Sequence, residues 1–205
     1  MVNYLDCLYL HHPAGDYMGT WQALEDTYRH DKMRALGISN FDNLPGAFQQ
    51  VVNKAQVKPQ IMQIGCHPYA QRHQTQQLAS QYDMQVYFLG HADPALLGND
   101  TLIDIVQEYN KSVVQTILRW HLQESFSAIP GLTNPDHIQK HIDVFDFELT
   151  NDDMAHIRAL DRGEGGRYFN IDYRTAGIFF MSLNEQRDAW GPLAGDLVRI
   201  HVDGL

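Results

Sequence analysis

Apolar positions along this chain switch repeatedly between two spacings. Leu5–Leu10 is a nearly continuous apolar run, as expected for a strand covered on both faces. Trp21, Leu24 and Tyr28 then recur at three and four residues, which is helical spacing. The alternation continues with a strand over Met33–Ile38, a helix over Pro45–Ala55 opened by its proline, and a strand over Ile61–Ile64. A helix over Gln74–Tyr82 and a strand over Met84–Leu89 follow. Thr101–Tyr109 and Ser112–Gln123 read as two helices in succession, the second with Val113, Ile117 and Trp120 on one stripe. Ser127–Ile129 is a short strand. Asn134-Pro135 opens a helix with an N-cap residue and a proline at the first helical position. Thr150-Asn151-Asp152-Asp153 has the form of a capping box, with Asp a shorter reach than the usual Glu. Met154, Ile157 and Leu160 continue on one helical face.

Strand and helix thus alternate up to about Leu160, with no internal repeat and no low-complexity linker. Such alternation predicts a parallel α/β sheet with right-handed crossovers. Pattern alone leaves a doubly wound sheet and a barrel both open.

Composition narrows the function classes. The 205 residues are 44% hydrophobic and include three Trp, ten Tyr and nine Phe, enough for one sizeable core. A net charge of -10 disfavours nucleic acid and anionic membranes as partners, because both need a basic face. It also requires a local site to hold any phosphate-bearing ligand against the global field. No apolar run approaches the roughly 20 residues of a membrane helix. The N-terminal residues lack the pattern of a secretory signal. The only cysteines, Cys7 and Cys66, lie in apolar strand-like runs, so a reducing cytoplasm fits better than a disulfide framework.

Particular segments decide between the two sheet types. Tyr4-Leu5-Asp6-Cys7-Leu8-Tyr9-Leu10-His11-His12-Pro13 is followed by Trp21-Gln22-Ala23-Leu24-Glu25-Asp26 and by Gly37-Ile38-Ser39-Asn40-Phe41. Gln63-Ile64-Gly65-Cys66-His67-Pro68-Tyr69 comes next, then Leu118-Arg119-Trp120, then Ile129-Pro130-Gly131-Leu132-Thr133-Asn134-Pro135. Their order and spacing resemble the aldo-keto reductase family, including its bacterial 2,5-diketogluconate reductase-like members, over roughly Tyr4 to Asn170. The resemblance implies an α/β fold that is a partial (β/α)8 TIM-type barrel of about five of eight strands. It would occupy residues 1–170, with a C-terminal tail over 171–205. It implies an NADP(H)- or NAD(H)-dependent oxidoreductase acting on a small carbonyl substrate, with its site at the C-terminal ends of the strands.

By that resemblance His11 is the histidine that orients the substrate carbonyl, and His12 lines the substrate pocket. Ser39, Asn40 and Gln63 match the contacts to the nicotinamide carboxamide, a group whose donor and acceptor an Asn or Gln can meet. The family's ring-stacking segment is shortened here to Gln85-Val86-Tyr87-Phe88-Leu89-Gly90-His91, which leaves two alternatives, a missing stacking aromatic or Tyr87 or Phe88 in its place, and the resemblance puts Gly90 on the cofactor path. Gly131, Leu132, Thr133 and Asn134 occupy the loop that grips the adenosine 2′-phosphate. His137 and His141 stand where the family usually has Arg and often has Asn. Two histidines are mostly neutral near pH 7, so the 2′-phosphate site is expected to be weakened. Asn134 and Pro135 still place a helix N-terminus there.

The catalytic tyrosine, lysine and aspartate of the family have no counterpart in this sequence, and His11 alone matches the catalytic set. Loss of a general acid typically costs about 10²–10⁴-fold in rate. A closed barrel takes about 250 residues, so two open edges are expected, at Leu5–Leu10 and Ser127–Ile129, with self-association through them. The apolar tail residues Ile178-Phe179-Phe180-Met181 and Trp190 are expected to cover part of the open interior. The alternatives are an inactive nucleotide-binding remnant or half-barrel interaction protein, and a metal-dependent hydrolase built on His11, His12, Cys66, His67 and His91. No carboxylate completes a first shell for the last, and no metal is expected.

Overall fold

The computed structural model describes residues 3–89, 94–130 and 135–168. Five parallel strands form one sheet: β1 (Leu5–Leu10), β2 (Met33–Ser39), β3 (Ile61–Gly65), β4 (Gln85–Leu89) and β5 (Ser127–Ala128). The helices are α1 (Tyr17–Arg29), α2 (Pro45–Lys54), α3 (His73–Ser80), α4 (Pro94–Leu97), α5 (Asp100–Tyr109), α6 (Val113–Gln123), α7 (Pro135–Ile142) and α8 (Asn151–Arg158). Two 3₁₀ turns, Phe41–Asn43 and Gly163–Gly166, complete the order.

The strand order β1-β2-β3-β4-β5 is the sequence order. Right-handed crossovers between consecutive parallel neighbours place every connecting helix on the same face. A doubly wound sheet must instead reverse its strand order to cover both faces. The sheet is therefore singly wound, an open arc of a barrel, with β1 and β5 at its edges.

The two faces differ accordingly. Leu36, Ile38, Met62, Ile64 and Phe88 alternate toward the helices and share one core with Trp21, Phe48, Val51, Ala79 and Trp120. The opposite face carries Cys7, Tyr9, Ala35, Gln63 and Tyr87, all only partly buried. Gly37 belongs to this second face. A Cβ there would lie 2.6 Å from Tyr9 Cδ1, so the Tyr9 ring occupies the space that glycine leaves.

Most predicted elements occur, with shifted ends. Helix α1 starts at Tyr17 because the Asp16 side chain accepts from Gly19 N at 2.9 Å. Helix α3 stops at Ser80, and the chain leaves through Asp83 at φ 54 while Met84 N bonds to Ala79 O. Strand β5 is only Ser127–Ala128, although Ile129 N still donates to Phe88 O at 3.0 Å. Helix α4 has no counterpart in the apolar pattern. The short Asp153 does close the capping box, its Oδ2 accepting from Thr150 N at 2.9 Å while Thr150 Oγ1 accepts from Asp153 N at 3.1 Å. Asn134, the expected cap of α7, and the tail residues Ile178–Met181 and Trp190 lie outside the described residues. No helix among the described residues is long and apolar enough to cross a membrane.

Candidate functional site

The C-terminal ends of β1, β2 and β3 converge on one cleft of about 70 Å³. His11 lies one residue past β1, Ser39 ends β2, and Gln63 is in β3 directly beside Ser39. His11, Ser39, Asn40 and Gln63 all line the cleft. The register continues the row: Gln63 pairs with Tyr87, and Tyr87 with Ser127. Of the two candidate ring-stacking residues, Phe88 points the other way. It is fully buried, stacked on His121 at 5.7 Å and edge-on to Phe126 at 4.4 Å. Tyr87 is the aromatic on the same face as Gln63.

Asn40 is the centre of the polar network. Its backbone is left-handed, φ 62, and its N–H donates to Gln63 O at 3.0 Å. Its Nδ2 lies 3.1 Å from His11 O, 3.2 Å from His12 Nδ1 and 3.0 Å from Ser39 Oγ. One NH₂ group carries two hydrogens, so it is fully committed within the protein. Only its Oδ1 is left to meet an external donor.

The two histidines stack with ring centroids 3.9 Å apart. His12 stands behind His11 and is not among the residues lining this cleft. Burial lowers the pKa of His11, and burial together with its neighbour His11 lowers that of His12 to about 4. A neutral His12 is consistent with Nδ1 accepting from Asn40. Burial also raises the pKa of Tyr9 on the same sheet face, with Cys7 and Tyr87 adding to the shift.

His141 is half-buried at the end of α7 and does not line the cleft. His137 falls in the same helix, but its side chain lies outside the described residues. Gly90, Gly131, Leu132, Thr133 and Asn134 also lie outside them, as does His91. Among the described residues no group of three or more His, Cys, Asp or Glu converges as metal ligands do.

His67, named in the sequence only as a candidate metal ligand, lines the cleft as well, and so do Asp42, Arg167 and Tyr168, which sequence reasoning did not find. Asp42 binds both Arg72 and Arg167, and Glu164 bridges the same two arginines. These side chains come from three loops with no shared periodicity. The available signal was Gly165-Gly166 immediately before Arg167, a mark of close backbone approach.

The sequence profile of the Aldo/keto reductase family matches residues 1–162. The chain belongs to the aldo/keto reductase family. It is 35% identical over 165 residues to glyoxal reductase of Bacillus subtilis (strain 168), covering 80% of this chain and 59% of that protein. It is 32% identical over 172 residues to 9,11-endoperoxide prostaglandin H2 reductase of Trypanosoma cruzi (strain CL Brener), with 80% and 60% covered. Among solved structures, a Gox0644 variant in complex with NADPH superposes with a TM-score of 0.77 at 28% identity, covering 85% of this chain and 64% of that one. The chain spans about three-fifths of the length of the curated relatives it matches. Like other members of the family, it presents a polar rim at the C-terminal strand ends.

Proposed function

We propose that this chain carries the nicotinamide-facing portion of an aldo/keto reductase site for small aldehydes or ketones, using NADP(H) or NAD(H). The observation that carries the reading is the meeting of His11, Ser39, Asn40 and Gln63, which lie far apart in sequence, on one rim. Ser39 Oγ, Asn40 Oδ1 and the Gln63 amide offer the donor and acceptor mix a carboxamide needs. Tyr87, next to Gln63 in the register, offers a ring face. These residues fit a nicotinamide. When bound, that group supplies a hydride to a carbonyl carbon. The protein's own contribution is a neutral His11 whose ring N–H donates to the carbonyl oxygen, held there by the Asn40 tether.

The same reading assigns Gly90 to the cofactor path and Gly131, Leu132, Thr133, Asn134, His137 and His141 to the adenosine end. The 2′-phosphate is held weakly there because histidines replace permanent cations. His12 supports the substrate side through its stack on His11. On this reading residues 1–170 are the aldo/keto reductase-like portion, residues 171–205 are the C-terminal tail, and the setting is cytoplasmic.

A second reading, a nucleotide-binding chain without turnover, is favoured by the protonation of His11, of the His12 stacked on it and of Tyr9 on the same sheet face. His11 and His12 are held toward their neutral forms and Tyr9 is held protonated. None of these groups is poised to transfer a proton near neutral pH. Quenching of tryptophan fluorescence by NADPH, followed by carbonyl-dependent NADPH oxidation, separates the readings. Binding that weakens in Gln63→Ala supports both, and turnover abolished by His11→Ala supports the reductase. No NADPH binding at millimolar concentration rejects both.

A further inference from the structure

Four charged side chains close a ring at the cleft, and two of them, Asp42 and Arg167, line it. The Arg72 guanidinium contacts Asp42 and donates to Glu164 Oε1 at 2.6 Å. Arg167 reaches the same two carboxylates, Asp42 Oδ2 at 2.7 Å and Glu164 Oε2 at 2.7 Å. The Arg72, Asp42 and Arg167 side chains are 3%, 5% and 14% exposed, whereas Glu164 is 74% exposed. Asp42 sits in the 3₁₀ turn two residues after Asn40, and Arg72 immediately precedes α3. Arg167 and Glu164 come from the far end of the described chain. Charge is balanced in the ring, and planar guanidinium forks fix direction as well as distance.

A second set of contacts docks that far end independently. Arg162 N donates to Tyr69 O at 2.9 Å, and the Arg162 guanidinium lies 3.5 Å above the Tyr69 ring. Gln71 N donates to Asp161 Oδ1 at 3.1 Å, and Gln71 Nε2 to Ile157 O at 2.9 Å. A Cβ at Gly166 would fall 1.8 Å from Tyr69 O, so the two backbones touch where only glycine fits.

We propose that Arg167 is a positioning residue that clamps the Asn40–Leu44 rim through Asp42. The backbone docking brings residues 161–167 to the loop after β3, and the ring then transmits that placement to the turn after β2. Buried ion pairs are weak evidence for stability, because apolar replacements are often as stable, and their attested use is to fix one geometry. Here the geometry fixed is that of the turn whose N-cap residue, Asn40, holds His11. The proposal deepens the nucleotide-site reading and rests on it for its functional meaning, but the clamp itself is testable without a ligand.

Hydrogen–deuterium exchange of the 205-residue chain is the test. Arg167→Ala is expected to speed exchange of the Asn40–Leu44 amides by about tenfold or more, although they lie over a hundred residues away. Arg167→Lys should fall between the two, since one ammonium cannot fork to both carboxylates. Lys111→Ala, which cuts two unrelated ion pairs, to Asp143 and Asp146, should leave that segment unchanged. If Arg167→Ala fails to fold, Glu164→Ala opens the ring from its exposed side and should give a smaller change of the same sign. Acceleration confined to residues 161–168 overturns the clamp. NADPH titration is read alongside: Arg167→Ala should weaken binding about tenfold with little change in melting temperature. If the parent chain binds no NADPH, the functional reading fails while exchange still decides the clamp.

Discussion

Asn40 Nδ2 donates to the backbone oxygen of His11 across 3.1 Å, tying the end of β1 to the turn after β2. Asn40 does this from a left-handed backbone that a residue with a Cβ adopts at a cost, and Asn tolerates better than most. Asn40→Ala should lose about 2–3 kcal/mol in urea unfolding, from the hydrogen bond and the strain together. Asn40→Gly relieves the strain and should lose only about 1 kcal/mol. Equal losses would show that the backbone conformation is not what selects Asn.

Acid should weaken this fold through His121. The side chain is 1% exposed, and burial, together with the neighbouring His67, lowers its pKa to about 4 against a hydrogen bond to Cys66 O that raises it. The unfolded chain therefore binds a proton near pH 6.5 that the folded chain refuses until about pH 4. Stability is fully present above pH 6.5 and falls as pH drops toward 4. A depression of this size corresponds to about 3 kcal/mol. His121→Gln, measured by chemical denaturation at pH 7.5 and 4.5, should lose much less on acidification than the parent. An equal loss in both would remove His121 as the cause.

Glu25 holds the α2–β3 connection from inside the core. One carboxylate oxygen accepts from Trp21 Nε1 at 3.1 Å, Gln56 N at 2.7 Å and Val57 N at 3.0 Å. Glu25→Ala strands these donors and should cost about 2–4 kcal/mol. Glu25→Gln keeps an acceptor oxygen and should cost clearly less. Thermal or urea melts of the pair provide the check.

Gly37 leaves the space that Tyr9 fills. Gly37→Ala should destabilise by about 1–3 kcal/mol through overpacking. Pairing it with Tyr9→Ala should recover part of that loss. A double-mutant cycle that proves additive would rule out direct contact as the source.

The open edges should associate. Leu5 on edge strand β1 is 48% exposed, and among the described residues β1 has a hydrogen-bonded neighbour on one side only. Sedimentation should show mass rising with concentration. Leu5→Lys should reduce it, since an edge lysine opposes strand pairing. A monomer at every concentration would exclude edge pairing.

Much of this was legible along the chain because it is periodic or local. Strand runs, the helical stripe through Trp120 and the Thr150 box are set by neighbours a few residues apart. The order of the motifs carried the family, and with it His11, Ser39, Asn40 and Gln63. Element ends were less legible, since α1 depends on Asp16 reaching Gly19 and the turn after α3 depends on the left-handed Asp83.

What the sequence by itself determined was an alternating α/β chain with a recognisable polar rim. The apolar pattern left a doubly wound sheet and a barrel both open, the motifs implied the barrel, and the strand order of the tertiary structure shows the sheet singly wound, because strand order is a long-range property. Only the tertiary structure decided that Tyr87 rather than Phe88 shares the face of Gln63, since a period of two fixes alternation but not which face is buried. The Asp42–Arg72–Arg167–Glu164 ring belongs to the same class. Its members sit in loops, and ionic contacts between loops leave no spacing in sequence until the backbone brings them together.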